Sequence, residues 1–252
     1  MKVHFVHSSN QKSQQAYVRM LELYGQCPPE KADCIVVLSG DGTILRAFHE
    51  NYPNNLPIYG MNLGELGFLT NRYQPEDLFE RIQQAVPLEF HPLKALVEKN
   101  NGEKFSTIAI NELYLLRETH QSAKLQVRIN EEVMIKELVC DGLINASEIG
   151  STAYNYSAGG SIIPMGSSLM ALTPISPFRP RGWRGALLPD DTVVEIEVWD
   201  NFRRPVCAVA DYVEFRDIVR VKICYDKSMK LSLLLDPDNC FKRKVLEEQF
   251  AT

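Results

Sequence analysis

The sequence predicts an α/β first half followed by a β-rich second half. Strand-like and helix-like segments alternate up to about Leu88, and strand-like segments then follow one another with turn residues between them. An acid between two glycines also sits at a strand-to-helix boundary near residue 40. Alternating strands and helices are typical of a doubly wound, mostly parallel sheet, which binds its ligand at the carboxyl ends of its strands.

The first half contains three predicted strands and three predicted helices. Short apolar runs predict strands over Lys2–His7, Cys34–Leu38 and Pro57–Met61. Apolar residues at helical spacing predict helices over Ser13–Tyr24, Thr43–Asn51 and, after Pro75, Glu76–Val86. The acid between the glycines therefore follows a buried strand.

The second half reads as a mostly antiparallel β structure. Its predicted strands are Leu93–Lys99, Phe105–Leu116, Leu125–Ile129, Val133–Cys140, Thr192–Trp199, Pro205–Phe215, Val219–Tyr225 and Lys230–Leu235, with an irregular middle over Asp141–Gly185. Phe241–Phe250 has helical propensity. We expect one domain over 1–88, with about 237–252 packing back onto it, and a β-rich domain over 89–236.

Composition limits the possible functions. The 252 residues are 45% hydrophobic and 23% charged, which is ordinary for a globular protein, and the net charge of −5 provides no general attraction for nucleic acids or membrane phosphates. No apolar stretch approaches the roughly 20 residues of a membrane helix, and the start does not resemble a signal peptide. We therefore expect a cytoplasmic protein with small-molecule partners.

Cysteines and histidines give no metal or hydrolase pattern. The six cysteines lie far apart without a C-x-x-C pair, so we expect buried, reduced thiols. The five histidines are dispersed and none has ligand spacing with a cysteine or an acid. No metal-ligating side chain is predicted, and no serine–histidine–acid pattern supports a hydrolase.

The segment Ser39-Gly40-Asp41-Gly42-Thr43 is the first candidate for chemistry. Glycines permit tight turning and close backbone approach, and a helix start offers free N–H groups and a positive dipole end. Asp41 adds a carboxylate that can bind a metal or accept a proton. The motif by itself is compatible with a phosphate site and also with a purely structural turn.

Two further polar segments interrupt apolar runs. Asn62–Leu69 is a glycine-rich loop after the third strand, and Asn111-Glu112 lies within a predicted strand. One of two adjacent strand residues must face inward, where a buried amide or carboxylate needs a hydrogen-bond partner such as a ligand hydroxyl. An edge strand whose polar residues face water is the alternative.

The segment from Cys140 to Gly160 concentrates small residues, hydroxyls and aromatic rings. Small residues let a flat ligand reach the backbone, hydroxyls can bind ribose or phosphate, and a ring can stack on a base. A long surface loop is the alternative interpretation of this segment taken by itself.

Together these segments resemble the NAD kinase family. Ser39–Thr43 resembles its Gly-Gly-Asp-Gly signature, Asn62–Leu69 its Asn-x-Gly-x-Leu-Gly-Phe loop, Asn111-Glu112 its Asn-Glu pair, and Asp141–Gly160 its longest motif. The motifs occur in the family's order across most of the chain. The family is similar in fold to diacylglycerol, sphingosine and 6-phosphofructo-kinases, but those would not supply Gly150–Tyr154.

The resemblance implies transfer of the terminal phosphoryl group of ATP to the 2′-hydroxyl of the adenosine ribose of NAD, giving NADP. Asp41 matches the family's proposed general base, with Mg²⁺ or another divalent cation shielding the phosphates. The resemblance also implies a homodimer or homotetramer, an α/β nucleotide-binding domain and a β-rich dinucleotide-binding domain. The residues that match the family's binding positions are Gly40, Gly42, Thr43, Phe68, Asn111, Glu112, Asp141, Thr152, Ala153, Tyr154, Asn155 and Ser157.

Some positions depart from the family pattern. Ser39 replaces a glycine, Glu148 and Ile149 bring charge and bulk beside the expected site, and Asp211-Tyr212 stands where relatives carry Asp-Gly or Asp-His. Two lesser candidates for phosphate contact are Lys12 and the arginines of Phe178–Arg184, although a solvated loop or a subunit contact suits the arginines better. Two alternative functions stay open, a non-catalytic NAD sensor and a lipid or sugar kinase of the same superfamily.

Overall fold

A computed structural model describes residues 1–52, 54–64 and 67–250. The chain divides into two compact units, one formed by 1–90 with 229–252 and the other by 91–228. Within the described residues the strands are β1 (Val3–His7), β2 (Cys34–Leu38), β3 (Ile58–Asn62), β4 (Asn71–Arg72), β5 (Val86–Phe90), β6 (Leu93–Lys99), β7 (Lys104–Ala109), β8 (Glu112–Arg117), β9 (Ala123–Ile129), β10 (Glu132–Cys140), β11 (Gly142–Ala146), β12 (Leu169–Ile175), β13 (Ala186–Pro189), β14 (Val194–Val198), β15 (Val206–Ala210), β16 (Val213–Phe215), β17 (Ile218–Tyr225) and β18 (Leu231–Leu235).

Five α-helices and two short 3-10 helices complete the described structure. The α-helices are α1 (Gln11–Tyr24), α2 (Asp41–Asn51), α3 (Leu78–Gln84), α4 (Tyr154–Ser157) and α5 (Phe241–Glu248), and the 3-10 helices are Pro29–Lys31 and Ile149–Thr152. None of the helices in the described ranges is long and apolar enough to cross a membrane.

The first unit is built on a mostly parallel sheet. Strands β1, β2, β3 and β18 run parallel in that order, β5 pairs antiparallel with β18 at one edge, and β4 pairs with β3. All five residues of β2 are buried, as expected for a parallel strand covered on both faces. The loops that follow β1, β2, β3 and β18 therefore emerge at one edge of the sheet.

The last strand and helix belong to this first unit. The expected return of a C-terminal helix is confirmed, but β18 returns with it: Leu233 pairs with Ile58 in the parallel sheet. Assigning Lys230–Leu235 to the β-rich half was wrong, because the apolar pattern predicts a strand without indicating its sheet. The division of the chain accordingly falls after Phe90 and before Met229 instead of near residues 88 and 236.

The second unit consists of two facing six-stranded antiparallel sheets. Their strand orders are β10-β9-β14-β17-β6-β7 and β13-β12-β11-β8-β15-β16. Side chains from both sheets, such as Leu125 on β9 and Leu143 on β11, share one buried core. The predicted α/β half and β-rich half are both confirmed.

Three strand predictions in the second unit were wrong. The single strand expected over Pro205–Phe215 is a hairpin of β15 and β16. The single strand expected over Phe105–Leu116 is two strands in different sheets, broken at Ile110 and Asn111. The expected irregular middle contains β11 and β12, which lie in the interior of the second sheet. Their side chains are nearly all buried, so the alternation that marks a half-exposed strand is missing.

The thiols only partly follow expectation. Cys34, Cys140 and Cys207 are buried and free, whereas Cys240 is exposed at the start of α5. Burial raises the pKa of the Cys140 thiol to about 12, which keeps it protonated and unreactive.

Candidate functional site

Asp41 lies in the first turn of α2, directly after the buried strand β2. The helix begins two residues earlier than predicted. The Asp41 side chain turns toward the loop after β3, where Oδ2 accepts a hydrogen bond from the backbone N–H of Phe68 at 2.8 Å and Oδ1 one from that of Leu69 at 3.0 Å. Two oriented N–H groups thus hold both carboxylate oxygens in one orientation.

The surroundings of Asp41 favour a carboxyl group that can take up a proton. Burial raises the pKa of Asp41, while the N–H groups of Phe68 and Leu69 and the positive charge of Lys244 oppose that rise. A general base needs a pKa closer to the working pH than an ordinary aspartate has. The position therefore suits proton abstraction.

The glycines on either side of Asp41 leave open space above the helix start. Gly40 has an extended backbone with φ of −90°, and Gly42 lies within the helix, so neither residue needs the left-handed conformation that favours glycine. A Cβ built on either glycine meets no heavy atom within 4 Å. The tight turn expected at these glycines is therefore not the reason for them. Their lack of a side chain instead lets a ligand approach the N–H groups at the helix start.

A cavity of about 340 Å³ lies beside Gly40. Ser39, Lys12 from the first turn of α1, and Leu63 and Gly64 from the loop after β3 contribute to its lining. The lysine that the sequence indicated only weakly is therefore a neighbour of the Gly-Asp-Gly motif. Its ammonium group adds a positive charge to a cavity that already faces the start of α2.

Phe68 contributes its backbone to Asp41 and its ring to α5. The ring centroids of Phe68 and Phe241 lie 6.4 Å apart in an edge-on arrangement. Glu65 and Leu66 of the same predicted motif lie outside the described residues.

Lys244 on α5 is a residue that the sequence analysis missed. Its Nζ donates hydrogen bonds to the carbonyl oxygens of Gly67 at 3.1 Å and Phe68 at 3.3 Å. Burial lowers the pKa of Lys244, and the negative charge of Asp41 opposes that shift. The sequence offered no signal for it beyond its place in a short terminal helix.

Asn111 and Glu112 mark the start of β8 in the second unit. Strand β8 pairs with β11 on one side and β15 on the other, so the alternative of an edge strand facing water was wrong. Glu112 is the inward-facing member at 7% exposure, and its Oε2 is buried with no hydrogen-bond partner in the described residues. Burial, followed by the negative charge of Asp211, raises the pKa of Glu112 to about 8. A buried carboxyl oxygen without a partner is a strong candidate for a ligand contact.

Asp211 holds the backbone just before Glu112. It sits in the β15–β16 turn, and its carboxylate accepts hydrogen bonds from the N–H groups of Ile110 at 2.7 Å and Asn111 at 2.9 Å. In the sequence, Asp211 stands out only as part of the Asp211-Tyr212 departure from the family pattern. Its structural task is to fix the point where β7 ends and β8 begins, while the Tyr212 side chain is 45% exposed.

The segment from Gly150 to Ser157 forms a 3-10 turn followed by the single-turn helix α4. Thr152, Ala153 and Tyr154 are half-buried and Ser157 is exposed, so these four can be reached. The Tyr154 ring packs edge-on against Tyr114 with centroids 5.1 Å apart. The surface-loop alternative fits poorly, because Gly150, Ser151 and Asn155 of this segment are buried.

The polar atoms of Asn155 are used within the second unit. Its side chain is fully buried: Nδ2 donates to the carbonyl oxygens of Ser151 at 2.9 Å and Ser161 at 3.0 Å, and Oδ1 accepts from Thr173 Oγ1 at 2.7 Å. A side chain used in this way supports the segment from within, and the expectation of a direct ligand contact by Asn155 finds no support in its geometry.

Asp141 forms an ion pair within its own chain. Its Oδ1 accepts a hydrogen bond from Arg117 Nε at 2.6 Å, and both side chains are partly exposed. The carboxylate is therefore oriented by Arg117 at the surface of the second unit.

Glu148 and Ile149 make their contacts within the second unit. The Glu148 carboxylate accepts hydrogen bonds from the N–H groups of Gly166 at 2.8 Å and Ser168 at 2.7 Å, and Ile149 is buried at 4% exposure. Glu148 therefore closes a loop and Ile149 lies in the core. These two departures were the reason for considering a non-catalytic NAD sensor, and the fold accounts for both.

The arginine-containing loop offers no organised anion site. Phe178 is 57% exposed, and the guanidinium groups of Arg179 and Arg181 lie 5.9 and 5.6 Å from its ring centroid. These arginines stack on an exposed ring, which favours the interpretation as a solvated loop or contact surface.

The described residues contain no group of three or more histidine, cysteine, aspartate or glutamate side chains that could hold a metal ion. Both oxygens of Asp41 already accept backbone hydrogen bonds. The side chains of the described residues therefore do not form a resident divalent-cation site, and a cation bound by them alone is not supported.

Gly150 provides a direct test of the packing behind Asn111. A Cβ at Gly150 would lie 2.1 Å from the carbonyl oxygen and 2.4 Å from the Cα of Asn111. We expect Gly150→Ala to destabilise the second unit by about 1–3 kcal/mol, because backbone must move to make room. Both tryptophans, Trp183 and Trp199, lie in this unit, so tryptophan fluorescence in urea reports its unfolding. Ser161→Ala, at an exposed position shortly after this segment, is the control and should leave the midpoint unchanged.

Known proteins match the sequence of this chain along nearly its whole length. Family models described as the ATP-NAD kinase N-terminal domain and the ATP-NAD kinase C-terminal domain match residues 2–90 and 110–232. The NAD kinase of Rhizobium meliloti (strain 1021) is 45% identical over 98% of this chain and 96% of its own length. That of Caulobacter vibrioides (strain ATCC 19089 / CIP 103742 / CB 15) is 46% identical over 97% and 94%.

Two solved structures share the fold. Yeast NADH kinase complexed with NADH superimposes with a TM-score of 0.86 at 20% identity, covering 99% of this chain and 87% of its own. An NAD kinase from Archaeoglobus fulgidus in complex with ATP gives a TM-score of 0.76 at 23% identity, with 98% of both chains covered.

Proposed function

This chain belongs to the NAD kinase family, and we propose that it transfers the terminal phosphoryl group of ATP to the 2′-hydroxyl of the adenosine ribose of NAD, giving NADP and ADP. The observation that carries this assignment is the Asp41 carboxylate, which two backbone N–H groups hold at an open helix start.

Asp41 acts in this proposal as the general base. A secondary alcohol is a weak nucleophile until its proton is removed, and a positioned base contributes about 10²- to 10⁴-fold in rate. The proton passes from the ribose 2′-hydroxyl to Asp41, the ribose oxygen forms a bond to the terminal phosphorus, and the bond to ADP breaks. Burial supports the first step because it raises the pKa of Asp41.

The phosphates are assigned to the start of α2. The N–H groups of Gly40 and Gly42 and the side chain of Thr43 would meet them, since the Thr43 N–H donates to the carbonyl oxygen of Gly40 at 3.1 Å. Lys12 supplies a positive charge in the adjoining cavity. Mg²⁺ is assigned as part of the ATP complex, where it shields phosphate charge, because the described side chains do not form a site for it.

The adenosine end is assigned to the second unit. Asn111 and Glu112 would hold it, and the unpartnered Oε2 of Glu112 is suited to a ligand hydroxyl or amino group. Further dinucleotide contacts proposed in the second unit are Asp141, Thr152, Ala153, Tyr154 and Ser157, and in the first unit we propose Phe68. Asn155 is assigned a supporting role instead, since its polar atoms are used internally.

Incubation of the purified protein with NAD and ATP in the presence of Mg²⁺ tests the function directly. Formation of NADP, measured with an NADP-specific dehydrogenase, is the expected result. A parallel reaction with NADH in place of NAD defines the phosphoryl acceptor, and one with inorganic polyphosphate in place of ATP defines the phosphoryl donor. Absence of NADP together with phosphorylation of diacylglycerol, sphingosine or fructose 6-phosphate would contradict the proposal.

Lys12 provides a test of the phosphate assignment. We expect Lys12→Gln to raise the KM for ATP about tenfold and to change the KM for NAD by less than about twofold, because the lost charge faces the phosphate cavity. Steady-state kinetics with each substrate varied in turn measure this difference. Lys31→Gln, at an exposed position outside the cavity, is the matched control. Equal increases in both KM values would contradict the assignment.

A cytoplasmic location and a homodimer or homotetramer belong to the same proposal. Light scattering of the purified protein decides between the two assemblies.

A further inference from the structure

Helix α5 packs onto the loop that holds Asp41. It follows β18, and its residues Phe241 and Val245 are buried at 3% and 2% exposure. Lys244 follows Phe241 by three positions and therefore lies on the same face of the helix. The edge-on contact between the rings of Phe241 and Phe68 fixes this face against the loop.

The C-terminal segment binds the carbonyl side of this loop. Lys244 Nζ donates to the carbonyl oxygens of Gly67 and Phe68, and Asn239 Nδ2 donates to that of Thr70 at 3.0 Å. The position of the loop therefore depends on residues at the far end of the chain.

The same two peptide groups contact both Lys244 and Asp41. In the peptide group between Gly67 and Phe68, the carbonyl accepts from Lys244 and the N–H donates to Asp41 Oδ2. In the next group, between Phe68 and Leu69, the carbonyl again accepts from Lys244 and the N–H donates to Asp41 Oδ1. Two peptide groups thus connect an ammonium group to a carboxylate with their dipoles aligned, an arrangement in which each hydrogen bond strengthens the next.

We propose that Lys244 is a positioning residue for the reaction: through these two peptide groups it orients the Asp41 carboxylate and stabilises its ionised, proton-accepting form. The inference rests on the proposed role of Asp41 as the base. Helix α5 then serves the reaction as well as the packing of the first unit. It supplies the positive charge that acts on this carboxylate within the described residues.

The proposal predicts a change in pH dependence when the charge is removed. In Lys244→Met the ionised form of Asp41 loses support, so the acidic limb of the kcat profile is expected to move up by about one pH unit. On that limb kcat falls about tenfold, while it recovers at alkaline pH and the KM values for NAD and ATP change by less than about twofold. Lys244→Arg, which keeps a charge and donors, is expected to keep most of the wild-type profile.

Lys242→Met is the matched control. Lys242 is exposed on the same helix and donates no hydrogen bond to the loop over 67–69, so this variant should match the wild type. A Lys244→Met profile that is lowered equally at every pH would overturn the proposal, as would an identical effect of Lys242→Met.

A second measurement does not depend on turnover. Carbon NMR of protein labelled at aspartate carboxyl groups, with the Asp41 signal assigned by its absence in Asp41→Asn, follows the titration of this group directly. We expect the midpoint in Lys244→Met to rise by about one pH unit. An unchanged midpoint would overturn the role of Lys244 even if the wild type makes NADP, whereas a wild type without activity contradicts the proposed function and leaves this measurement to decide on Lys244.

Discussion

Replacing Asp41 with Asn is expected to lower kcat by about 10²- to 10⁴-fold with little change in the binding of NAD or ATP. Asparagine has nearly the same shape and can still accept a hydrogen bond from Phe68 or Leu69, but it cannot take the proton of the ribose hydroxyl. The first unit should therefore keep its fold and lose the chemical step. Single-turnover assays for rate and calorimetry for binding measure the two effects separately.

The control for this prediction is Asp33→Asn. Asp33 lies directly before β2, and its carboxylate accepts a hydrogen bond from the backbone N–H of Lys2 near the surface. The Asp33→Asn variant should retain wild-type kcat. Full activity of Asp41→Asn would exclude Asp41 as the base, and loss of NAD and ATP binding in that variant would assign Asp41 to ligand binding instead.

Replacing Glu112 with Gln is expected to have two effects of opposite sign. Substrate binding should weaken, with the KM for NAD rising about tenfold, because the buried carboxyl that is proposed to hold the adenosine end is changed to an amide. The stability of the second unit should instead increase at alkaline pH. Removing a buried group that must ionise there removes the cost of its burial.

The sign of the stability effect follows from the raised pKa of Glu112. The folded state holds its proton up to about pH 8, whereas the unfolded chain releases it near the ordinary value of 4.5. The folded protein therefore binds more protons between these values, and its free energy of unfolding falls as the pH rises through that window. Glu112→Gln should flatten this dependence.

Urea unfolding at pH 5.5 and pH 8.5, followed by tryptophan fluorescence, measures the stability effect in the unit that contains Glu112. The wild type should lose more stability across this interval than Glu112→Gln. Glu132→Gln, an exposed position on β10 of the same unit, should behave as the wild type does. Equal pH dependence in all three proteins would contradict an ionisation of Glu112 in this range.

The local sequence predicts most of the elements and the position of Asp41. Apolar spacing locates β2, the following helix and the terminal helix to within a few residues, because these elements have clear periodicity or clear boundaries. The central strands β11 and β12 were missed because their residues are buried on both faces and include polar and small side chains. Periodicity does not reveal a strand without an exposed face.

For the side chains of the candidate site, too, the local sequence predicts some features and leaves others to the tertiary structure. The pattern around Asn111 and Glu112 predicts that one of them is buried, but which one, and against which neighbour, depends on the break between β7 and β8 and on Asp211, a hundred residues away. Asn155 lies in a polar segment that suggests ligand contact, yet the hydroxyl group of Thr173 on β12 donates a hydrogen bond to its amide oxygen. Such pairings arise from strand order, which neighbouring residues in the sequence do not determine.

The sequence by itself determined that this protein has an α/β half and a β-rich half, that an acid follows a buried strand at a helix start, and that four motifs occur in the order of the NAD kinase family. Only the tertiary structure decided that β18 joins the first sheet, and that Lys244 and Asp41 contact the same two peptide groups. The physical reason is the distance along the chain over which the interactions act. Secondary structure follows from the spacing of side chains along a short stretch, whereas the environment of a carboxylate is set by groups that folding brings together from distant parts of the chain.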